Sequence, residues 1–116
     1  MSEKSENKIS VLKASPFTKA FKKLSKQNKE LVEDEIDLII ENPEIGELKK
    51  GDLSHLRVHK FSMNKQQVLL GYSWLEEQLE IWLLNIGPHE NFYDKVKNRR
   101  DVDLSSMDKN KNQDKE

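Results

Sequence analysis

Apolar side chains recur along this chain with two periods, and the change from one to the other divides it into a helical and a stranded half. Ile9, Val11 and Ala14 alternate with Ser10 and Leu12 in a short run that predicts a first strand. Phe17, Ala20, Phe21 and Leu24 then return at i, i+3, i+4 and i+7, with Lys19, Lys22, Lys23 and Lys26 between them. That spacing predicts a helix with an apolar stripe beside a basic face. Ser15 is its expected cap, and Pro16 suits the first turn because its missing N–H would have no partner there. After a break at Gln27-Asn28, Leu31, Val32, Ile36, Ile39 and Ile40 form a second stripe, backed by an acidic face of Glu30, Glu33, Asp34, Glu35 and Asp37. Asn42-Pro43 stops this helix, and so short a joint between two amphipathic helices predicts a helical hairpin.

Past the loop holding Gly46 and Gly51 the period falls to two. In His55 to Phe61, Leu56 and Val58 share one face while His55, Arg57, His59 and Phe61 share the other. Val68 to Trp74 reads as a second strand of this meander, and Leu79 to Ile86 as a third. The third is apolar on both faces, Ile81 and Leu83 on one and Trp82, Leu84 and Ile86 on the other, so it belongs inside the sheet. Gly87-Pro88 ends it, and His89 to about Arg99 forms a short helix with Phe92 and Val96 inward. Residues 1–8 and 101–116 hold few large apolar side chains to offset the entropy lost on ordering, and both are expected to be mobile tails around a folded unit of residues 9–100.

Composition narrows what such a unit can be. At 116 residues the chain makes one domain, since domains typically run to about 100–150 residues. The absence of cysteine excludes a disulfide scaffold, a thiolate zinc site, an iron–sulfur cluster and a cysteine nucleophile, and fits a reducing cytoplasm. No apolar run approaches the roughly 20 residues of a membrane helix, and the polar start lacks the apolar region of a signal peptide. Residues 9–100 carry 15 Lys+Arg and 14 Asp+Glu, so any binding of nucleic acid must rest on a local basic patch.

Two segments carry a resemblance to a known family. Gly51-Asp52-Leu53-Ser54 precedes the strand bearing Arg57, and Gly87-Pro88-His89-Glu90-Asn91-Phe92-Tyr93 follows the last strand. With the order strand, helical hairpin, three-strand meander and short C-terminal element, residues 9–100 resemble toxins of the RelE/ParE superfamily of bacterial type II toxin-antitoxin modules, nearest to the ParE-like and HigB-like branch. The resemblance implies an α+β fold, a small twisted antiparallel sheet with the hairpin packed on one face. It implies a concave opposite face, used by RelE-like and HigB-like members to cleave mRNA on the ribosome, and a cognate antitoxin as partner. ParE members share the fold and inhibit DNA gyrase, so fold alone does not choose between the targets.

Metal-independent cleavage of RNA activates the 2′-OH against the neighbouring phosphate and calls for a base, an acid and cations on the phosphate oxygens. His89 is the candidate proton carrier, because histidine ordinarily titrates near neutral pH. Arg57 offers a planar fork for phosphate, and His59 shares its strand face. Lys60 points to the opposite face unless a bulge intervenes. Tyr93 can stack on a base or donate its hydroxyl, four residues on from His89. Lys95, Lys97, Arg99 and Arg100 supply a basic end for ribosomal or messenger RNA. Each has a plainer reading: a half-buried strand histidine for His59, a helix cap for His89, an acidic partner for Arg57, core closure for Phe92 and Tyr93. His55 and His59, four apart on a strand, are separated by roughly 13 Å and cannot chelate one zinc ion together; no cofactor is expected. The near-neutral core keeps two other readings open, a gyrase-directed toxin that acts by binding and an inactive regulatory homologue. An apolar surface left by so small a sheet suits an antitoxin helix or strand.

Overall fold

The first strand pairs not with its neighbour in sequence but with the last. In a computed structural model, which describes residues 8–115 and side chains through Asp108, β1 (Ser10–Lys13) runs parallel to β5 (Glu80–Gly87), Val11 opposite Ile81 and Lys13 opposite Leu83. Residues 1–7 of the expected N-terminal tail lie outside the described residues. The meander is antiparallel throughout: β3 (Arg57–Met63) pairs with β4 (Gln66–Leu75), and β4 with β5. A two-residue strand that the period-two reading had no length to reveal, β2 (Glu47–Leu48), pairs antiparallel with β3. The sheet order is β1-β5-β4-β3-β2, so the expected α+β architecture stands with one parallel pair at an edge. Everything between β1 and β5 serves as the crossover that a parallel pair requires.

α1 (Ser15–Lys22) and α2 (Lys26–Glu41) form the hairpin. Ala14 rather than Ser15 is the N-cap of α1: its N–H donates to the Leu83 carbonyl, which ties it to the sheet and lets the helix begin immediately after, with Pro16 in the first turn. The break before α2 falls at Ser25, not at Gln27-Asn28, because the Ser25 hydroxyl accepts the Asn28 N–H and caps the helix there. Phe17, Val32 and Ile39 of the hairpin pack on Leu70, Tyr72, Ile81 and Leu83.

A bulge alters the expected faces of β5. Gly71 lies opposite Asn85 and Tyr72 opposite Leu83, which leaves Leu84 as the extra residue. Ile86 therefore returns to the hairpin side with Ile81 and Leu83, whereas Trp82 and Leu84 face the other way. That other face carries a second core, Leu56, Val58, Leu69 and Leu84 under Phe92 and Val96 of α3 (Phe92–Asn98). Glycine at 71 makes this packing possible, since a Cβ there would lie 2.9 Å from the Phe92 ring and 3.0 Å from Leu56.

The segment expected to be a polar tail is instead a helix, α4 (Arg100–Lys115). Asp103 and Met107, one turn apart, are buried, and two such positions among polar ones are too few to show as a period. Burial pushes the Asp103 carboxyl above its ordinary pKa although Arg99, 3.2 Å away, draws it back. His55 lies beside it: burial lowers its pKa, Asp103 opposes that and Arg100 adds to it. The Ser73 hydroxyl donates to the His55 carbonyl and fixes the start of β3 against β4.

Candidate functional site

The alternation along β3 decides which expected residues can meet. Arg57 and His59 point to the hairpin side, where the Arg57 guanidinium donates to the carbonyls of Gly46 at 2.8 Å and Glu44 at 3.3 Å. His59 Nε2 is 2.6 Å from the Glu35 carboxylate of α2, and the His59 ring stacks on Phe61. Their side chains are 11% and 19% exposed, so the pair holds helix to sheet and offers little to a ligand. His89 and Tyr93, by contrast, stand on the α3 side. The structure therefore does not bring Arg57 and His59 together with them.

It does bring together a different set. β5 ends at Gly87, and Asn91 in the left-handed region (φ 63°) turns the chain into α3, with the Phe92 N–H donating to the His89 carbonyl. The exposed His89 ring meets the Tyr93 ring edge-on, centroids 5.6 Å apart. Over the Tyr93 ring, 5.2 Å from its centroid, lies the ammonium of Lys49, a residue that sequence reasoning passed over. The signal was adjacency alone: Lys49-Lys50 immediately precedes Gly51-Asp52-Leu53. The Lys49 N–H donates to the Leu56 carbonyl, which fixes its backbone at the edge of β3. Desolvation works to lower the Lys49 pKa, but the hydrogen bond from its ammonium to the Glu47 carboxylate, 3.2 Å away, and the neighbouring Tyr93 outweigh it and raise the value above that of an ordinary lysine. Lys49 is thus a cation held over a phenol ring whose edge meets the His89 imidazole.

Lys60 also faces the α3 side, exposed, in the row that runs through Leu69 to Gly87 just before His89. The basic end of the chain is partly committed. Lys97 lies 3.6 Å from the Asp52 carboxylate, and Arg100 Nε donates to the Asp52 carbonyl at 2.8 Å. Together they tie the short 3-10 turn Gly51–Leu53, just after Lys49, to the end of α3 and the start of α4. Arg99 turns inward to Asp103, while Lys95 is exposed. Tyr93 thus brings an imidazole and an ammonium to one phenol ring, a set of groups suited to a phosphodiester. Among the described residues no three His, Asp or Glu side chains are grouped to hold a metal ion, and no helix is long and apolar enough to cross a membrane.

A family model described as the ParE-like toxin of type II bacterial toxin-antitoxin systems matches residues 11–97. The chain belongs to this family. It is a type II toxin of the RelE/ParE superfamily, as the two sequence segments imply. The toxin is similar in fold to E. coli RelE in three structures. The intact RelBE toxin-antitoxin complex matches with a TM-score of 0.58 at 17% identity, over 72% of this chain and 99% of the other. A substituted RelE in the free state matches with a TM-score of 0.60 at 16% identity, over 77% and 92%. The isolated RelE toxin gives 0.56 at 17% identity, over 78% and 98%. No curated protein matches the toxin.

Proposed function

We propose that the toxin is an endoribonuclease that cleaves mRNA on the ribosome and is neutralised by a cognate antitoxin. The observation that carries this reading is the contact of the Tyr93 ring with both the His89 imidazole and the Lys49 ammonium. In the reaction the 2′-oxygen of the substrate bonds to the adjacent phosphorus as the P–O5′ bond breaks. The products are a 2′,3′-cyclic phosphate and a 5′-hydroxyl, and the net proton change is zero. His89 exchanges the proton, either from the 2′-OH or to the leaving oxygen. Lys49 stabilises the charge that develops on the phosphate, and Tyr93 orients Lys49 and stacks on a base. Lys60, exposed on the α3 face of the sheet, and Lys95, exposed on α3 itself, hold the RNA backbone. The RelE bound in the E. coli RelBE complex supports an antitoxin partner, and a translational target places the toxin in the cytoplasm.

A second reading, inhibition of DNA gyrase by binding, draws on one observation. Arg57 and His59 are committed to the fold and leave the site with fewer cations than the sequence promised. Programmed ribosomes distinguish the two. Purified toxin should cut ribosome-bound mRNA within codons, and His89→Ala or Lys49→Ala should slow the cut by about 10²-fold or more. Undiminished cutting by both variants contradicts this site, and inhibition of supercoiling without any cutting favours gyrase.

A further inference from the structure

Where β3 begins and β4 ends, the sheet, α4 and the turn Glu76–Gln78 enclose an open groove of about 900 Å³ that includes none of His89, Tyr93 and Lys49. Proteins hold drug-sized ligands or short peptide segments in spaces of about 300–1,000 Å³. Trp74, Leu104 and Met107 supply apolar lining, and Leu48 adds a side chain that is half exposed. Four carboxylates, those of Glu44, Glu76, Glu77 and Asp108, also line the groove, and all four residues are exposed. Against them stands, among the described residues, one lysine or arginine in the lining, Arg57, whose guanidinium is spent on the Gly46 and Glu44 carbonyls. The Gln78 side-chain oxygen is buried there with no donor among the described residues. The candidate site on the α3 face presents the Lys49 ammonium at Tyr93; this groove presents carboxylates around an apolar interior.

We propose that the groove docks a short basic peptide segment with an apolar anchor, contributed by a partner protein. The anchor covers Leu48 and the half-buried Leu104 and removes apolar surface from water. The basic side chains pair with the exposed carboxylates and lie against the Trp74 ring, and a backbone N–H reaches the Gln78 oxygen. Nucleic acid and acidic segments are repelled. The proposal is independent of the chemistry at His89.

The test is a titration of the ¹⁵N-labelled full chain with three probes, a synthetic hexapeptide Lys-Leu-Lys-Trp-Leu-Lys, the same peptide with Glu for every Lys, and spermidine. The expected result is saturable shifts at Trp74, Glu76, Glu77 and Met107 with the basic peptide alone. Affinity should fall about fivefold in a Glu76→Gln, Glu77→Gln double variant, whose substitutions lie on the exposed turn and leave the remaining spectrum unchanged. The proposal is overturned by an absence of saturable shifts in the groove, by equal shifts with the acidic peptide, or by affinity unaffected in the double variant. Saturation of the same residues by spermidine at comparable concentration overturns it too, since charge without an anchor would then suffice.

Discussion

At His59 the imidazole is held by Glu35 and covered by Phe61, whereas at His89 it stands in solvent against Tyr93. The same side chain therefore has separable consequences at the two positions. His59→Ala removes a hydrogen bond to a carboxylate and leaves Glu35 half-buried without it, at a cost of about 1–3 kcal/mol in urea denaturation. The folded variant should still cut RNA at an undiminished rate. His89→Ala should show the reverse, an unchanged urea midpoint and a collapsed cleavage rate. Strand parity made the positions of Arg57, His59 and Lys60 legible in sequence. What parity cannot say is which side of the sheet meets the segment after the last strand; residue type groups Arg57 and His59 with His89 and Tyr93, and the structure sets the two pairs on opposite sides. Lys49 escaped for another reason. It follows a strand of only two residues, where no period can form, and it reaches Tyr93 through a fold that closes 44 positions of chain.

The hairpin was readable because each of its helices carries a full apolar stripe over several turns. α4 was not, because its docking rests on Asp103 and Met107 while Val102 faces solvent. Met107→Ala should cost about 2 kcal/mol, read by urea denaturation, and should raise amide exchange in α4 before the rest of the molecule. The bulge at Leu84 was equally silent, since period-two alternation carries no mark of a skipped residue. His55 adds a pH dependence to α4. Its pKa is lowered by burial, so the folded chain takes up this proton at lower pH than the unfolded chain, whose value is near 6.5. The corresponding stability is present above 6.5 and is lost as pH falls through the depressed value. Asp103 acts in the opposite sense, because its raised pKa makes burial of the carboxylate a penalty that acid relieves. Urea midpoints measured from pH 7.5 to 5 should therefore show the advantage of wild type over His55→Gln shrinking as pH falls. An advantage that grows toward acid would contradict the placement of His55.

Over the whole molecule the formal charge is −1, and this near balance conceals an uneven local distribution. Lys49 meets Tyr93 on the α3 side, where Lys60 and Lys95 are exposed, and carboxylates line the groove at the start of β3. A polyanion can thus bind locally to a chain whose total charge gives no such sign. The central claim is that the α3 face cleaves mRNA during translation. The most direct measurement maps mRNA 5′ ends across the transcriptome within minutes of inducing the toxin in a bacterial host, for wild type, His89→Ala and His59→Ala. The account predicts new ends within translated codons for wild type and for His59→Ala in proportion to its folded fraction, and none for His89→Ala. Growth arrest with an unaltered set of 5′ ends, or new ends that persist in His89→Ala, would contradict it.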